Sequence, residues 1–477
     1  MKTSFKNIII LGSGESGTGA ALLAKAQGFD VFVSDSGEIL QKHKDELIKN
    51  LIPFEEGAHT WEIIADADQI IKSPGIPDKA EIMKKIYAKS IPVISEIEFG
   101  FQYSNGKIIA VTGSNGKTTT TSLIYHILKE AGFNVGLGGN IGESFARKSI
   151  DNPYDFWVLE LSSFQLDHCF EFRPNISVLM NITPDHLDRY DYKFENYIDS
   201  KFKIIQSQLP EDKFIVFTDN EPIASELQKR TIKPQILPIS LVQQPVTGAW
   251  LDNKSLIINA GKQSVVIPID KISIQGKHNY LNAMAAAVAC LEAGVTAEKV
   301  ISGLNTFKAV EHRLEPVAEV EGIQFINDSK ATNVDSVFYA LDSMKTPVIL
   351  IAGGVDKGNE YAQIEELVKE KVKLLVCMGK DNSKLLSYFS GKIEIRETNT
   401  IEQAVAVAFN SAKKGDTVLL SPACASFDLF KNYEDRGKQF KQQVEKIKQI
   451  AESQWLKANE NPGQKPLPNS HQPLPNQ

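Results

Sequence analysis

The chain has 477 residues, 42% hydrophobic and 23% charged, with a formal net charge of −7 and a pI near 5.8. That length predicts roughly three domains of ~150 residues, and the acidic balance argues against the basic footprint that a sequence-independent grip on nucleic acid needs. The four cysteines, Cys169, Cys290, Cys377 and Cys424, form no CxxC pair, no apolar run reaches the ~18 residues of a spanning helix, and the opening MKTSFKNIIILGSG runs into glycines too early for a signal peptide, so a cytoplasmic protein with reduced thiols is expected.

Residues 7–12, NIIILG, read as a buried parallel strand that runs into Gly12-Ser13-Gly14-Glu15-Ser16-Gly17 and an alanine-rich helix over 18–27. A second strand over 30–34 ends at Asp35. Strand, glycine loop, helix and distal acid match the dinucleotide fingerprint, whose mechanics require only a pyrophosphate over a helix N-terminus and a carboxylate near a sugar. A UDP-sugar meets both conditions as well as NAD does, so both stay open at this point. Strands over 69–72 and 92–94 extend the sheet, the first closing on Ser73-Pro74-Gly75, a loop with free backbone donors. The stretch 100–106, GFQYSNG, reads as a linker, which bounds the first domain at 1–101.

The second domain, 102–306, opens on KIIAVTGSNGKTTTT over 107–121. An apolar strand stops at Thr112, Gly113-Ser114-Asn115-Gly116 make a turn, and Lys117-Thr118-Thr119 begin a helix over 118–131. This is the plan of a phosphate loop: backbone N–H groups surround phosphate oxygens, Lys117 reaches the β and γ phosphates, and a threonine hydroxyl ligates Mg²⁺. The usual pattern has glycine five residues before Gly116, where this chain has Val111. A glycine-rich turn, GGNIG, follows over 138–142, and Glu160 interrupts the apolar strand WVLELSS. A carboxylate in that position must be ion-paired or bound to a metal. A strand over 176–181 runs into TPDHLDR, which puts His186 between two carboxylates at the end where open α/β sheets place chemistry. Lys201, on a helix over 195–208, reads on its own as a snorkelling surface lysine. Strands and turns fill 213–275, and GKHNYLN then opens an alanine-rich helix ending at 292, whose Asn279 suits capping as well as nucleotide contact.

A hinge through 303–313 leads into the third domain, 307–455, with strands over 322–327, 347–352, 373–378 and 417–420 and helices over 364–371, 402–413 and 439–451. The strands end in polar, small-residue loops, among them DSKATN, GGVDKG and SPACAS, which are expected to line one crevice for a small polar ligand. The last stretch, 456–477, is rich in Pro, Asn and Gln and is expected to be disordered, with His471 no site candidate.

The ordered strings TGSNGKTTT, GGNIG, LELSSFQL, NITPDHLDRY, GKHNYLNA, EHRLEPV, NDSKATN, GGVDKG and LLSPACASFD resemble those of the Mur ligase family over about residues 7 to 455. Sibling ligases and folylpolyglutamate synthases share the phosphate loop, whereas NDSKATN and SPACASFDLF favour a member that uses D-glutamate. The resemblance implies an α/β protein with an N-terminal Rossmann-like UDP-binding domain, a central P-loop ATPase-like domain and a C-terminal Rossmann-like domain for the amino acid. It implies a monomeric, ATP-dependent ligase joining D-glutamate to UDP-N-acetylmuramoyl-L-alanine through an acyl phosphate, in cytoplasmic peptidoglycan precursor synthesis, with no nucleic-acid partner and no membrane insertion.

Carried over by motif, ATP falls to Gly113, Ser114, Asn115, Gly116, Lys117, Thr118, Thr119, Asn279, Arg313 and Asp328. The UDP substrate falls to Ser16, Asp35, Ser36, Ser73, Asn140 and His186, and D-glutamate to Thr332, Lys357, Ser426, Phe427 and Tyr433. Two Mg²⁺ sites fall to Thr118, Glu160, His186 and Lys201, the last as a carbamate derived from CO₂, which reverses the surface reading of that lysine. Lys117, Glu160, His186, Lys201 and Lys330 form the implied catalytic set. The alternatives are a sibling ligase for another amino acid, an NAD(P)-dependent oxidoreductase built on GSGESG, and a P-loop module that hydrolyses ATP only to change shape.

Overall fold

The computed structural model describes residues 6–151, 154–308 and 311–460. The chain divides into two compact units, Met1–Ala309 and Val310–Gln477. Among the described residues the strands form three sheets, two in the first unit and one in the second.

The first sheet is all parallel, with β1 (Asn7–Leu11), β2 (Asp30–Asp35), β3 (Phe54–Glu56), β4 (Gln69–Lys72) and β5 (Val93–Ser95) in the order β3-β2-β1-β4-β5. Ile8 to Leu11 are buried without alternation, as expected of a strand covered on both faces. The order reverses between β1 and β4, which opens a crevice beyond their C-terminal ends. The first helix, Glu15–Ala26, starts earlier than the sequence suggests, so Ser16 lies in its first turn. Gly17 must be glycine: a Cβ there would lie 1.8 Å from the Gly12 carbonyl oxygen.

The expected linker over 100–106 is corrected by the structure, because a helix, Glu96–Tyr103, occupies most of it. Gly100 looks like a turn residue in sequence, yet it sits mid-helix where a Cβ would approach Phe145 Cδ1 to 2.8 Å. Two buried carboxylates fasten this helix. Glu98 accepts from the N–H groups of Phe170, Glu171 and Phe172 at 3.0, 2.9 and 2.9 Å, and Glu96 Oε1 accepts from Ser144 Oγ at 2.6 Å and Ala146 N at 2.7 Å.

Burial pushes the Glu96 carboxyl up to about 7, although the Ala146 N–H and the Ser144 hydroxyl pull the other way. The folded value lies above the ordinary one, so the native state holds the extra proton. This contribution is complete below the ordinary carboxylate range and is lost as pH rises through about 7. Unit 1 of the wild type should therefore lose up to ~3 kcal/mol across that interval, and Glu96→Gln should flatten the limb. Melting curves recorded at acidic and at mildly basic pH check this, and equal slopes for the two proteins would refute it.

The second sheet comprises β6 (Lys107–Thr112), β7 (Val135–Gly139), β8 (Phe156–Glu160), β9 (Ile176–Leu179), β10 (Lys213–Phe217), β11 (Gln235–Ser240), β12 (Gly248–Asp252), β13 (Ser255–Ala260) and β14 (Gln263–Pro268), ordered β14-β13-β12-β11-β10-β9-β6-β8-β7. Only the β12-β13-β14 meander is antiparallel. In β6, Val111 is fully buried and pairs with Glu160 on one side and Val178 on the other. This position is interior strand, which explains a valine where the usual pattern has glycine. Helices Lys117–Glu130 and Lys277–Glu292 pack together, the second through a run of buried alanines that permits close approach.

Unit 2 contains β15 (Glu315–Val320), β16 (Ile323–Asn327), β17 (Val348–Ala352), β18 (Val372–Met378), β19 (Glu394–Thr398) and β20 (Thr417–Leu420), ordered β15-β16-β20-β17-β18-β19 and antiparallel only between the first two. The sequence conceals the edge strands β15 and β19, because EPVAEV and EIRET lack an apolar run. The last helix, Tyr433–Glu460, is longer than expected and takes up the start of the stretch read as disordered. Residues 461–477, including His471, lie outside the described residues. Among the described residues no helix is long and apolar enough to cross a membrane.

Candidate active site

The loop after β6 forms a glycine cradle at the N-terminus of the helix Lys117–Glu130, the position where a phosphate loop is expected. Gly113 and Gly116 take φ of +148° and +82°, and a Cβ at Gly116 would lie 2.5 Å from Asn282 Oδ1. Both positions thus need glycine for conformation and for space. The segment after β9 pins the loop. Ser114 N donates to Asn181 O at 2.8 Å, Asn115 N donates to Asn181 Oδ1 at 2.8 Å, and Ser114 Oγ donates to Thr183 O at 2.9 Å. Ser114 therefore acts on the loop's shape through its side chain. Lys117 Nζ donates to the carbonyls of Gly113 and Ser114 at 2.8 and 2.9 Å, which holds the ammonium over the cradle. Thr118 and Thr119 are buried in the first turn of the helix that follows.

Lys201 also reaches Gly113 O, at 2.9 Å, and its Nζ lies 5.1 Å from the Tyr197 ring centroid. At 2% exposure it is no surface lysine, so the snorkelling reading is corrected. Burial first, and then the Lys117 charge, hold its pKa well below the ordinary lysine range. Glu160 ends β8 and is equally buried. Its Oε1 accepts from Asn140 Nδ2 at 2.8 Å, while Oε2 has no hydrogen-bond partner. Among the described residues Glu160 forms no ion pair. The GGNIG turn is locked to the same strand end, because a Cβ at Gly139, φ +96°, would lie 2.2 Å from Glu160 O. His186 sits at φ +53°, half-buried, edge-on to Phe164 at 5.1 Å and 3.7 Å from Asp185 Oδ2. Asn279 Nδ2 donates to Gln275 O, and its Oδ1 accepts from Asn282 Nδ2 at 3.1 Å.

At the first crevice, Asp35 organises the glycine loop. Its Oδ2 accepts from Ser13 N and Oγ at 2.7 and 2.8 Å, and its Oδ1 accepts from Gly37 N at 2.8 Å. Burial raises its pKa, but these three donors outweigh burial and the net shift is downward. Ser73 meets the loop at Gly12, where a Cβ would lie 2.7 Å from Ser73 Oγ. Ser16 is half-buried and Ser36 exposed beside them.

In unit 2 the strand-end loops do converge. Ser421 Oγ donates to Asp328 Oδ2 at 2.9 Å, Gly353 N to Pro422 O at 2.9 Å, and Val355 bridges Ala425. Burial pushes the Asp328 carboxyl up to about 6, with Arg313 and Ser421 opposing it. Lys330 Nζ donates to Tyr433 Oη at 3.3 Å and lies 5.1 Å from that ring's centroid. Thr332 and Lys357 are half-buried, Ser426 is buried, and Phe427 is 73% exposed.

Several residues of this machinery went unnoticed in the sequence. Asn181, Asn282 and Tyr197 brace the phosphate loop, and Gln165 closes a capping box with Ser162 directly after Glu160. Arg436 is 1% exposed and joins two loops of unit 2, with Nε donating to Ser329 Oγ at 2.9 Å and Nη1 to Cys424 O at 3.2 Å. It lies 107 residues from Ser329 in the chain, and no local pattern marks it.

Three family models match this chain. Residues 6–95 match the family model described as Mur ligase MurD-like, N-terminal domain, residues 111–290 match the Mur ligase middle domain, and residues 312–424 match the Mur ligase, glutamate ligase domain. The chain is 55% identical over 443 residues to the UDP-N-acetylmuramoylalanine–D-glutamate ligase of Cytophaga hutchinsonii, covering 92% of this chain and 98% of that one. It is 51% identical to the ligase of the same name from Bacteroides thetaiotaomicron, over 93% of this chain and all of the relative. Among solved structures, a pseudomurein peptide ligase type C from Methanothermus fervidus shares the fold with a TM-score of 0.60 at 22% identity, covering 93% of this chain and 100% of that chain.

Proposed function

We propose how these residues divide the work from one premise: this chain belongs to the Mur ligase family, and it is an ATP-dependent ligase that adds D-glutamate to UDP-N-acetylmuramoyl-L-alanine in peptidoglycan precursor synthesis. Lys117 binds the β and γ phosphates of ATP within the cradle of residues 113–119. The L-alanyl carboxylate oxygen attacks the γ phosphorus. A P–O bond to the acyl oxygen forms, the β–γ bridge breaks, and ADP leaves. The D-glutamate amine then attacks the acyl carbonyl and loses a proton, and the tetrahedral intermediate expels phosphate with the oxygen that came from the carboxylate. Both partners of the first step are anions, and Lys117 and Lys330 offset their repulsion.

The observation that carries this reading is the buried Glu160 carboxylate, whose unpartnered Oε2 lies at a strand end neighbouring a phosphate loop with two lysines on one carbonyl oxygen. An orphaned buried acceptor is costly, and a cation at that atom removes the cost. Mg²⁺ therefore fits, with Thr118, Glu160, His186 and carbamylated Lys201 as the residues that would hold it. When bound it neutralises charge on the transferred phosphoryl group. CO₂ adds only to a neutral amine, and burial, which holds the Lys201 pKa well below the ordinary lysine range, favours that form. Asn140 orients Glu160 through Oε1 and so leaves Oε2 as the atom that would hold the cation.

We assign Ser16, Asp35, Ser36 and Ser73 to the uridine diphosphate, Asn279, Arg313 and Asp328 to the ATP nucleoside, and Thr332, Lys357, Ser426, Phe427 and Tyr433 to D-glutamate. Lys357→Ala should raise the KM for D-glutamate by roughly a hundred-fold, the scale of losing a charge-assisted contact to a carboxylate, and leave that for ATP within two-fold. Equal changes in both would remove the assignment. The whole route is tested with oxygen-18 in the L-alanyl carboxylate: one label must appear in the released phosphate. Unlabelled phosphate refutes the acyl phosphate.

A further inference from the structure

The loop that follows β4 carries Ser73, and it is sewn to the central sheet's loops by a set of polar contacts that the assigned chemistry does not use. Asp78 Oδ1 receives His168 Nε2 at 2.9 Å and Tyr87 Oη at 2.8 Å, and pairs with Lys72 Nζ at 3.2 Å. Lys72 is 3% exposed and also donates to Ile76 O at 2.8 Å. From the other side, Arg189 Nη2 donates to Pro74 O at 3.2 Å while its guanidinium lies 4.2 Å from the Phe164 ring centroid. Lys79 Nζ donates to Asp188 O at 2.9 Å. Between these groups lies a polar cavity of about 260 Å³, lined by Lys72, Asp78, Lys79, Phe164, Asp167 and Arg189.

We propose that Asp78 and His168 are positioning residues for the ligation: their contact fixes the Ser73 loop against the segment that follows Glu160 and Gln165, and so sets the span between the diphosphate grip and the reacting carboxylate. The Lys72–Asp78 pair lies within β4 and its own loop, and with the Asp78 side chain 49% exposed it adds little stability. What directional contacts add is a single register. Lys72 and Tyr87 hold Asp78 from its own side and His168 holds it from the central segment, so the loop cannot slide along that segment without breaking the His168 contact. The same loop touches Arg189, three residues beyond His186. Substrate seated on the loop and the turn carrying His186 are therefore held in one frame.

This rests on the reading of Ser73 as a diphosphate contact, and the test separates the two. Full-length Asp78→Ala, His168→Ala and the double variant are compared for KM and kcat with the UDP substrate and with ATP. Each single change should raise the KM for the UDP substrate by roughly ten-fold or more, leave that for ATP within two-fold, and cost no more when combined than alone. Asp78→Asn, which keeps an acceptor for the same donors, should recover most of the loss. An unchanged KM, or losses that multiply in the double variant, overturns the proposal. If Asp78→Ala does not fold, Asp78→Ser and His168→Ala form the cycle under the same criteria. Ser73→Ala reports on the premise: intact binding of UDP-N-acetylmuramoyl-L-alanine there overturns the diphosphate reading, whereas weakened binding beside a normal Asp78→Ala overturns the positioning role alone.

Discussion

Lys117→Ala should bring ADP formation down by at least ~10³-fold, the range associated with removing a cation from a phosphoryl-transfer site, while affinity for the UDP substrate stays within two-fold. The side chain is held over the cradle by the carbonyls of Gly113 and Ser114, which positions the ammonium toward the helix N-terminus. The variant carries a second effect. Lys117 is, after burial, the main influence depressing Lys201, so its loss relieves part of that depression. ADP release and calorimetry with the UDP substrate measure the two quantities, and retained turnover would remove the phosphate-loop assignment.

Lys201→Ala should be nearly inactive, with partial recovery in small carboxylic acids such as acetate or formate, which can replace the lost anion at the cation site. Loss of folding is not the expected cause. A buried amine with a depressed pKa costs stability at neutral pH, since the unfolded chain gains a proton that the native state refuses. Lys201→Met fills similar volume without that cost and should melt at or above the wild-type temperature while remaining inactive. A Lys201→Met protein that unfolds early would return the residue to a structural role. Full wild-type activity in bicarbonate-free buffer would exclude the carbamate.

Glu160 and Lys201 show how differently two members of one site are written in a sequence. Glu160 stands out because a carboxylate breaks an apolar strand, and the structure leaves one of its oxygens without a partner. Lys201 offers no such contrast. Its helix is mixed in character, and only resemblance to a family marked it before the fold showed it buried against Gly113 and Tyr197. The junction at 100–106 misled for a related reason: Gly100 looks like a turn but is small because Phe145 crowds it.

Local chemistry was enough to mark the glycine loop after β6, the glycine loop after β1 and the central strands of each sheet. Each depends on residues within one turn of chain, where φ, apolar runs and hydrogen-bonding side chains act on near neighbours. Tertiary packing alone decided that the helix Glu96–Tyr103 is fastened to the central sheet's surroundings, that Asp78 meets His168, and that Arg436 bridges Ser329 and Cys424. Those partners stand tens of residues apart, and a buried charge or a lone carboxylate oxygen acquires its meaning only when distant segments close the water out.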